Sequence, residues 1–474
     1  MKQRKKRMKE NRNIAIASYL CLIIFVALIG NLIYFLASDN SVILSNAYNS
    51  KRQDLLAQGT VKGSVLSEDG QVLAETITDK KGNEHRYYPY KNMYAHAVGY
   101  VDNGKMGVER DYNYYMLRCN SNPLITALNE IKGVKNKGDN IVTNLNSKVQ
   151  KAAYDALGNR KGAVIALNPD NGKILAMVSR PDYDPNTISK DWKSLIEDKY
   201  DESRLLNRAT QGLYPPGSTF KLVTLLEYIR ENGGGDAFSY KCSGKDVING
   251  TTIKCYKSKK HGEEDIKKAF AKSCNCAFAN IGASLNLDQM NSFARTLLFN
   301  EDIDYQFEYK KSSFNLSSKS DNDEVVQTVI GQGKTMISPL HNALLAGMIA
   351  NGGYLVTPSL VDRVETAEDK RVVRTFKQKE KVNVLTENQV RIASECMKET
   401  VKSGTATSLA GKKYEAAGKT GSAEFDKSGA SHAWFIGYAE YEGKKIAVSI
   451  IVEGAGTGSD YAVPVAGKIF DAYY

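Results

Sequence analysis

Tyr214-Pro215-Pro216-Gly217-Ser218-Thr219-Phe220-Lys221 is the most informative stretch of this chain, and an apolar run follows it directly. Proline and glycine suit the start of a helix but not its interior. The pattern therefore predicts that Ser218 lies in the first turn of a buried helix, with Lys221 one turn on and on the same face. A lysine is rarely buried unless it is paired or functional, because removing water from an ammonium group is costly.

Two short motifs further along the chain give this serine and lysine a chemical context. One is Ser273-Cys274-Asn275, and the other is Lys419-Thr420-Gly421-Ser422 in a predicted strand. Each motif alone also has a plain structural explanation: a capping serine beside a surface lysine, a turn, and the exposed end of a strand. In this order, however, Ser-x-x-Lys, Ser-x-Asn and Lys-Thr-Gly match the motif set of penicillin-binding proteins and class A β-lactamases.

Acyl transfer by a serine explains why these residue types occur together. The reaction needs a hydroxyl nucleophile, a base and donors for the oxyanion, and Ser218 is the predicted nucleophile. Lys221 can take its proton if burial and the charge of a nearby Lys419 lower the pKa of the Lys221 amine. Ser273 can then carry a proton to the leaving amine, and Asn275 can hold a peptide carbonyl or amide. The strand at Lys419 can pair with an extended peptide.

Motifs for other chemistries fail on spacing. A phosphate-binding loop would need glycine where this chain has Lys413 or Thr328. The five histidines show no metal-binding spacing, and no Gly-x-Ser-x-Gly elbow occurs. We therefore predict no cofactor and no metal. Cys242 and Cys255 flank a predicted hairpin loop and could form a disulfide, although buried free thiols fit the same positions.

An apolar segment near the N-terminus predicts a membrane anchor. Residues 14–38 contain no charged side chain. This segment is longer than the ~20 residues that span a bilayer as a helix. A basic cluster precedes them and predicts that this end stays in the cytoplasm, with the rest of the chain outside. A cleaved signal peptide is the alternative. More than half of the net charge of +11 lies in the first 12 residues, so the remainder does not predict nucleic-acid binding.

The order of predicted elements indicates an α+β catalytic domain. A hairpin turning at Asn171-Gly172 begins it, helices follow, and three strands close it before a last helix. This order predicts one antiparallel sheet flanked by helices. Residues 113–115 and 132–140 are predicted to be exposed loops. The resulting domains are a basic tail, an anchor, a small mixed module and the main domain, at residues 1–13, 14–38, 39–150 and 151–474.

Further short motifs carry a resemblance to a known family. They are Arg86-Tyr87-Tyr88-Pro89, Gly107-Val108-Glu109, Asp184-Pro185-Asn186, Leu206-Asn207-Arg208-Ala209, Gly331-Gln332-Gly333, Ile349-Ala350-Asn351-Gly352-Gly353 and Ala433-Trp434-Phe435. With the three catalytic motifs, the chain resembles a class B penicillin-binding protein, a monofunctional peptidoglycan D,D-transpeptidase of the short type with one N-terminal anchor. The resemblance implies a serine β-lactamase-like fold for residues 151–474 and a dimerisation or pedestal-like module before it.

The resemblance also implies a reaction and partners. Ser218 would attack the penultimate D-Ala carbonyl of a stem peptide, on lipid II or nascent glycan strands, and an amine of a second stem would complete the crosslink. Thr420, Gly421 and Ser422 would bind substrate, with Ser422 where threonine is commoner in the family. β-Lactam antibiotics would acylate Ser218. A multi-spanning membrane glycan polymerase is the expected partner, because the chain has no room for a glycosyltransferase domain of its own.

Other functions are compatible with the same three motifs. A β-lactam sensor would be acylated without crosslinking, and a β-lactamase-like protein would hydrolyse the adduct. A silent scaffold that activates a polymerase is a further alternative, although retention of all three motifs argues against it.

Overall fold

The computed structural model describes residues 2–37, 50–199, 202–376, 379–424 and 430–474. The α-helices are Lys2–Ala37, Ser50–Gly59, Ala95–Val98, Gly107–Asp111, Asn113–Met116, Pro123–Ile131, Ser147–Leu157, Ile188–Glu197, Lys221–Asn232, Ile266–Ala271, Asn275–Ser284, Leu287–Thr296, Asn322–Val329, Pro339–Ala350, Glu387–Lys402 and Gly458–Tyr473. Short 3-10 turns are Lys91–Tyr94, Gly217–Phe220, Tyr256–Ser258 and Thr407–Leu409.

The strands are numbered in chain order. They are β1 Thr60–Val61, β2 Val65–Leu66, β3 Val72–Thr78, β4 Glu84–Tyr87, β5 Asn136–Lys137, β6 Asn140–Thr143, β7 Gly162–Leu167, β8 Ile174–Arg180, β9 Tyr240–Cys242, β10 Lys245–Ile248, β11 Thr251–Lys254, β12 Gly262–Glu264, β13 Tyr354–Leu355, β14 Val361–Glu365, β15 Val372–Thr375, β16 Val382–Asn383, β17 Glu415–Glu424, β18 Ser431–Tyr441 and β19 Lys444–Val452.

One five-stranded antiparallel sheet, in the order β17-β18-β19-β7-β8, forms the centre of the catalytic part. Its middle strands are buried on both faces, because helix Pro339–Ala350 contacts one side and helices Ser147–Leu157 and Gly458–Tyr473 lie over the other. The predicted hairpin at Asn171-Gly172 and the predicted three-strand ending are both confirmed. The α+β class is confirmed as well, and β17 lies at the edge of the sheet.

A second sheet joins distant parts of the sequence. Its order is β15-β14-β6-β2-β3-β4, so strands from residues 361–375 pair with strands from the N-terminal module. Within that module, Arg86 Nε lies 2.6 Å from the fully buried carboxylate of Glu109, and Lys62 Nζ lies 2.5 Å from it. The boundary at residue 150 stays a prediction, and this sheet extends across it.

The two loop predictions for the module are wrong in part. Asn113–Met116 is a helical turn in which Asn113 and Tyr114 are buried, because Asn113 Nδ2 donates to Gln53 Oε1 at 2.6 Å and Tyr114 packs edge-on against Tyr115. Within residues 132–140, β5 pairs in parallel with β1. Tertiary contacts, which local composition does not reveal, order both segments.

The N-terminal helix Lys2–Ala37 contains the apolar span Ile14–Tyr34. At 1.5 Å per residue, its 21 residues match the ~30 Å hydrocarbon core of a bilayer. The helix therefore fits a single-pass membrane anchor. Ser38, the last residue of the predicted anchor, lies outside the described residues.

Candidate active site

Ser218 lies in a tight turn at the end of the proline-glycine lead-in. The 3-10 turn Gly217–Phe220 passes directly into helix Lys221–Asn232, so the predicted helix start is confirmed with a tighter first turn. Gly217 has a left-handed φ of 53°, and its N–H donates to Gly331 O at 2.8 Å. Trp434 Nε1 donates to Pro215 O at 3.0 Å, which ties the lead-in to β18. The serine is thereby held at the edge of the sheet, partly exposed.

Lys221 is fully buried, as the sequence predicts. Its Nζ donates to Asn275 Oδ1 at 2.7 Å and to Ser273 O at 2.8 Å, and lies 3.3 Å from Ser273 Oγ. These acceptors belong to the second motif. The structure therefore brings the first two sequence motifs into direct contact around one amine.

Ser273 occupies the gap between helices Ile266–Ala271 and Asn275–Ser284. Its φ of 57° is left-handed, a conformation that non-glycine residues adopt rarely and often at functional sites. Cys274 caps the second helix by accepting from Ala277 N at 3.4 Å. This bend directs Ser273 and Asn275 toward the lysines while Cys274 is buried on the other side.

Lys419 completes the constellation from β17. Its buried Nζ donates to Ser273 Oγ at 2.9 Å and to Thr420 O at 3.0 Å. Lys221 and Lys419 therefore both reach the same serine hydroxyl. The five predicted catalytic residues are together in the structure: four are linked by these contacts, and Ser218 is held in the turn immediately before Lys221.

Burial is the main electrostatic influence on the two lysines. Removal of water lowers the pKa of Lys221 to about 8. Burial first, and then the positive charge of Lys221, lower the pKa of Lys419 well below its usual range. Two ammonium groups near one hydroxyl repel each other, so a neutral amine at one of them is favoured near neutral pH. An uncharged amine is what a general base requires.

The predicted substrate-binding residues follow Lys419 along the edge strand. Gly421 allows close packing, because a Cβ there would lie 3.0 Å from Thr219 Cγ2 and from Trp434 Cβ. Thr420 Oγ1 shares a hydrogen bond of 2.5 Å with Thr405 Oγ1. Ser422 is partly exposed, and its carbonyl oxygen lies 3.5 Å from Gln332 Nε2.

Sequence reasoning missed Thr405, whose Gly404-Thr405-Ala406 context looked like the end of a helix. It also left the cysteines unresolved. The Sγ atoms of Cys242 and Cys255 are 3.6 Å apart, and both residues are free thiols, so the disulfide considered for them is not formed.

Comparisons with known proteins agree with this geometry. The penicillin-binding protein transpeptidase domain model matches residues 162–472, and the penicillin-binding protein A dimerisation domain model matches residues 62–141. The peptidoglycan D,D-transpeptidase PbpA of Mycolicibacterium smegmatis is 29% identical over 84% of this chain and 86% of its own length. Penicillin-binding protein 3 of Bacillus subtilis is 30% identical over 82% of this chain and 62% of its own length.

A solved structure shares the architecture. The ceftriaxone acyl-enzyme complex of penicillin-binding protein A from Mycobacterium tuberculosis matches with a TM-score of 0.79 and 27% identity, over 89% of this chain and 99% of that one. Motifs, fold and family models thus agree over most of the sequence. The chain belongs to the penicillin-binding proteins with a transpeptidase domain, as a member of class B.

Proposed function

We propose that Ser218 is the acylated nucleophile of a peptidoglycan D,D-transpeptidase that crosslinks stem peptides. The chain is a serine-type D,D-transpeptidase and a β-lactam target, as its family membership and its named relatives support. The observation that supports the residue assignment is the buried amine of Lys221, three residues after Ser218, which donates to Ser273 O and Asn275 Oδ1 of the second motif.

In the acylation step, the Ser218 hydroxyl attacks the penultimate D-Ala carbonyl and gives its proton to neutral Lys221. The backbone N–H groups of Ser218 and Ser422 stabilise the oxyanion. The C–N bond to the terminal D-Ala then breaks, and Ser273, which contacts both lysines, passes a proton to the leaving amine. An amine of a second stem peptide reverses these steps and forms the crosslink.

The other site residues bind and orient the substrate. Asn275 holds a peptide amide or carbonyl while its Oδ1 accepts from Lys221. The open edge of β17 pairs with the extended stem peptide. The hydroxyls of Thr420 and Ser422 bind the terminal carboxylate, and Gly421 between them lets the strand pack closely against Thr219 and Trp434. Lys419 donates a hydrogen bond to Ser273 Oγ.

The anchor helix determines where this reaction occurs. With the basic residues before Ile14 in the cytoplasm, the catalytic part is extracytoplasmic, where stem peptides are available. The membrane-proximal part is then free to bind a multi-spanning glycan polymerase. Replacing residues 1–60 by an unrelated anchor should abolish co-purification with the polymerase, and retained co-purification would contradict the partnership.

The sensor and β-lactamase alternatives are not supported. The relatives compared above are named as transpeptidases or penicillin-binding proteins, and the crystal structure compared above holds a β-lactam as an acyl-enzyme.

Labelling with fluorescent penicillin tests the nucleophile. Ser218→Ala should lose covalent labelling, whereas the exposed Ser292→Ala should label like the unchanged chain. Crosslinked dimers of stem peptide, measured by mass spectrometry with nascent glycan as substrate, should disappear with Ser218→Ala alone. Covalent labelling of Ser218→Ala would show that the assignment is wrong, and rapid release of the label from the unchanged chain would favour a β-lactamase.

A further inference from the structure

Four side chains beside the active site converge in a way that the acyl-transfer chemistry does not use. They are Cys242 at the end of β9, Cys255 after β11, His261 before β12, and Cys274. One ligand atom from each lies within 4.8 Å of every other, and the three cysteines are buried. Converging thiols and an imidazole are the ligands that soft divalent metal ions prefer.

Three of the six separations between these atoms match a tetrahedral zinc centre. With Zn–S near 2.3 Å and Zn–N near 2.05 Å, a regular tetrahedron places two sulfurs about 3.8 Å apart and a sulfur and a nitrogen about 3.6 Å apart. In the structure, Cys255 Sγ lies 3.6 Å from the Sγ atoms of Cys242 and Cys274. His261 Nδ1 lies 3.5 Å from Cys242 Sγ. A disulfide would require about 2.05 Å.

A buried carboxyl group lies beside the four proposed ligands. Glu264 is buried, and Oε1 lies 3.9 Å from His261 Nδ1. In the part of the chain that the structure describes, neither oxygen of Glu264 has a hydrogen-bond partner of normal geometry. As a neutral acid, this carboxyl group can donate a hydrogen bond to a ligand sulfur, and such outer contacts hold metal ligands in place.

A fourth nearby cysteine serves as an internal comparison. Cys276 Sγ lies 3.6 Å from Cys255 Sγ but 3.7 Å from Ile253 O, and it is not among the four residues whose ligand atoms all lie close together. A tetrahedral site needs four ligands, and Cys242, Cys255, His261 and Cys274 supply them. A centre with four protein ligands leaves no open position for a reactive water, so its role is structural.

We propose that Cys242, Cys255, His261 and Cys274 bind one Zn²⁺ ion, which positions Ser273 and Asn275 for catalysis. Cys274 is the middle residue of the catalytic motif, so a metal bond to its sulfur fixes the backbone on either side. Asn275 Nδ2 also donates to Lys254 O at 3.0 Å, next to the ligand Cys255. Binding releases the three thiol protons to solvent and leaves the oxidation state of every atom unchanged.

Metal content tests the site independently of catalysis. The full chain, purified in detergent without chelator, should contain about one zinc per chain by mass spectrometry of the metals. Cys255→Ser and His261→Ala should lose most of it, whereas Cys276→Ser and the buried Cys396→Ser should keep it. The site would be refuted if Cys276→Ser lost as much zinc as Cys255→Ser, or if the metal-free chain took up no added Zn²⁺. A Cys242–Cys255 disulfide would refute it as well.

The unchanged chain gives a second test that avoids misfolded variants. Stripping with a chelator should lower Tm by on the order of 5 °C, and refilling with Co²⁺ should give the intense visible bands of tetrahedral sulfur coordination. Failure to bind Co²⁺ in the stripped, still folded chain would also refute the site.

The positioning role rests on the proposed function, and its test is separate. Well below Tm, stripping should lower the maximal rate of acylation of Ser218 by about tenfold with little change in the half-saturating penicillin concentration, and Zn²⁺ should restore it. Zinc binding with an unchanged acylation rate would refute positioning and leave the metal site intact. Zinc binding in a chain that penicillin never labels would refute the proposed function instead.

Discussion

At the residue scale, the proposed acylation of Ser218 depends on the charge of Lys221. Burial lowers the pKa of this amine to about 8, and only the neutral form can accept the Ser218 proton. Acylation should therefore rise with pH through about 8 and level off above it, well before an exposed lysine would lose its proton. Rates of labelling by fluorescent penicillin between pH 6 and about 10 measure this profile. A rate that falls over this range would contradict a lysine base.

Replacing Lys221 by arginine keeps a positive charge at this position but removes the ability to act as a base. A guanidinium fills a similar volume but stays protonated, so Lys221→Arg cannot take the proton. The rate of acylation should fall by about a thousandfold or more, within the range for loss of a general base. Lys267→Arg is the matched control, because Lys267 is partly exposed and pairs with Glu395. Near-normal acylation in Lys221→Arg would exclude Lys221 as the base.

The sequence predicted that Ser218, Lys221, Ser273, Asn275 and Lys419 form one site, but not how these residues contact one another. The three motifs are far apart in the chain, but the residue types and spacing within each motif indicate its chemical role. No local pattern indicates a role for Thr405, because its hydrogen bond to Thr420 exists only after β17 and the end of helix Glu387–Lys402 come together. The four side chains that we propose bind zinc were missed for the same reason, because their positions follow no common local spacing.

At the element scale, the nucleophile turn depends on a close approach between two backbones. A Cβ at Gly331 would lie 1.8 Å from Gly217 O, immediately before Ser218. Gly331→Ala should therefore displace the turn, lower Tm, and slow acylation by tenfold or more, measured by penicillin labelling and thermal unfolding. Its φ of 87° adds about 1–2 kcal/mol of backbone strain.

Gly333→Ala is a control with the same backbone strain and more space. Its φ is 79°, but the nearest atom to an added Cβ is Thr328 Oγ1 at 3.2 Å. This variant should lose stability through strain and keep its rate of acylation at temperatures below Tm. If both alanine variants slow acylation equally, the close approach to Gly217 is not what positions Ser218.

At the scale of the whole molecule, the sequence predicted one sheet well and the other poorly. The strands β17, β18 and β19 are consecutive, and β7 and β8 form a hairpin, so local patterns predict most of their pairing. In the six-stranded sheet, β14 pairs with β6, which is more than 200 residues earlier in the chain. Such pairing depends on the complete fold, and a boundary drawn at residue 150 from composition does not anticipate it.

This shared sheet predicts that the N-terminal module and the catalytic part unfold together. A substitution at Glu109 tests this prediction, because the buried Glu109 carboxylate pairs with Arg86 and Lys62 inside the module. Removing it leaves Arg86 and Lys62, whose side chains are almost fully enclosed, without their carboxylate, which costs about 3–5 kcal/mol. Glu109→Ala should therefore lower Tm for the entire chain, whereas Glu130→Ala, at an exposed position of the same module, should not.

The pH dependence of the same residue has a definite sign. The positive charges of Arg86 and Lys62 hold the pKa of Glu109 below its usual range despite burial. A carboxylate with a lowered pKa in the folded state stabilises the fold above its unfolded pKa, near 4.3, and this contribution is lost as pH falls further. Tm should therefore decrease below about pH 4 in the unchanged chain, and less steeply in Glu109→Ala.

Two probes in different parts of the chain measure whether unfolding is cooperative. Protease cleavage within residues 60–140 reports on the N-terminal module, and loss of penicillin labelling reports on the active site. Because β6 and β14 belong to one sheet, the two thermal transitions should coincide, and Glu109→Ala should shift both by the same amount. Penicillin labelling that persists above the temperature at which protease cleaves residues 60–140 would show instead that the module unfolds alone.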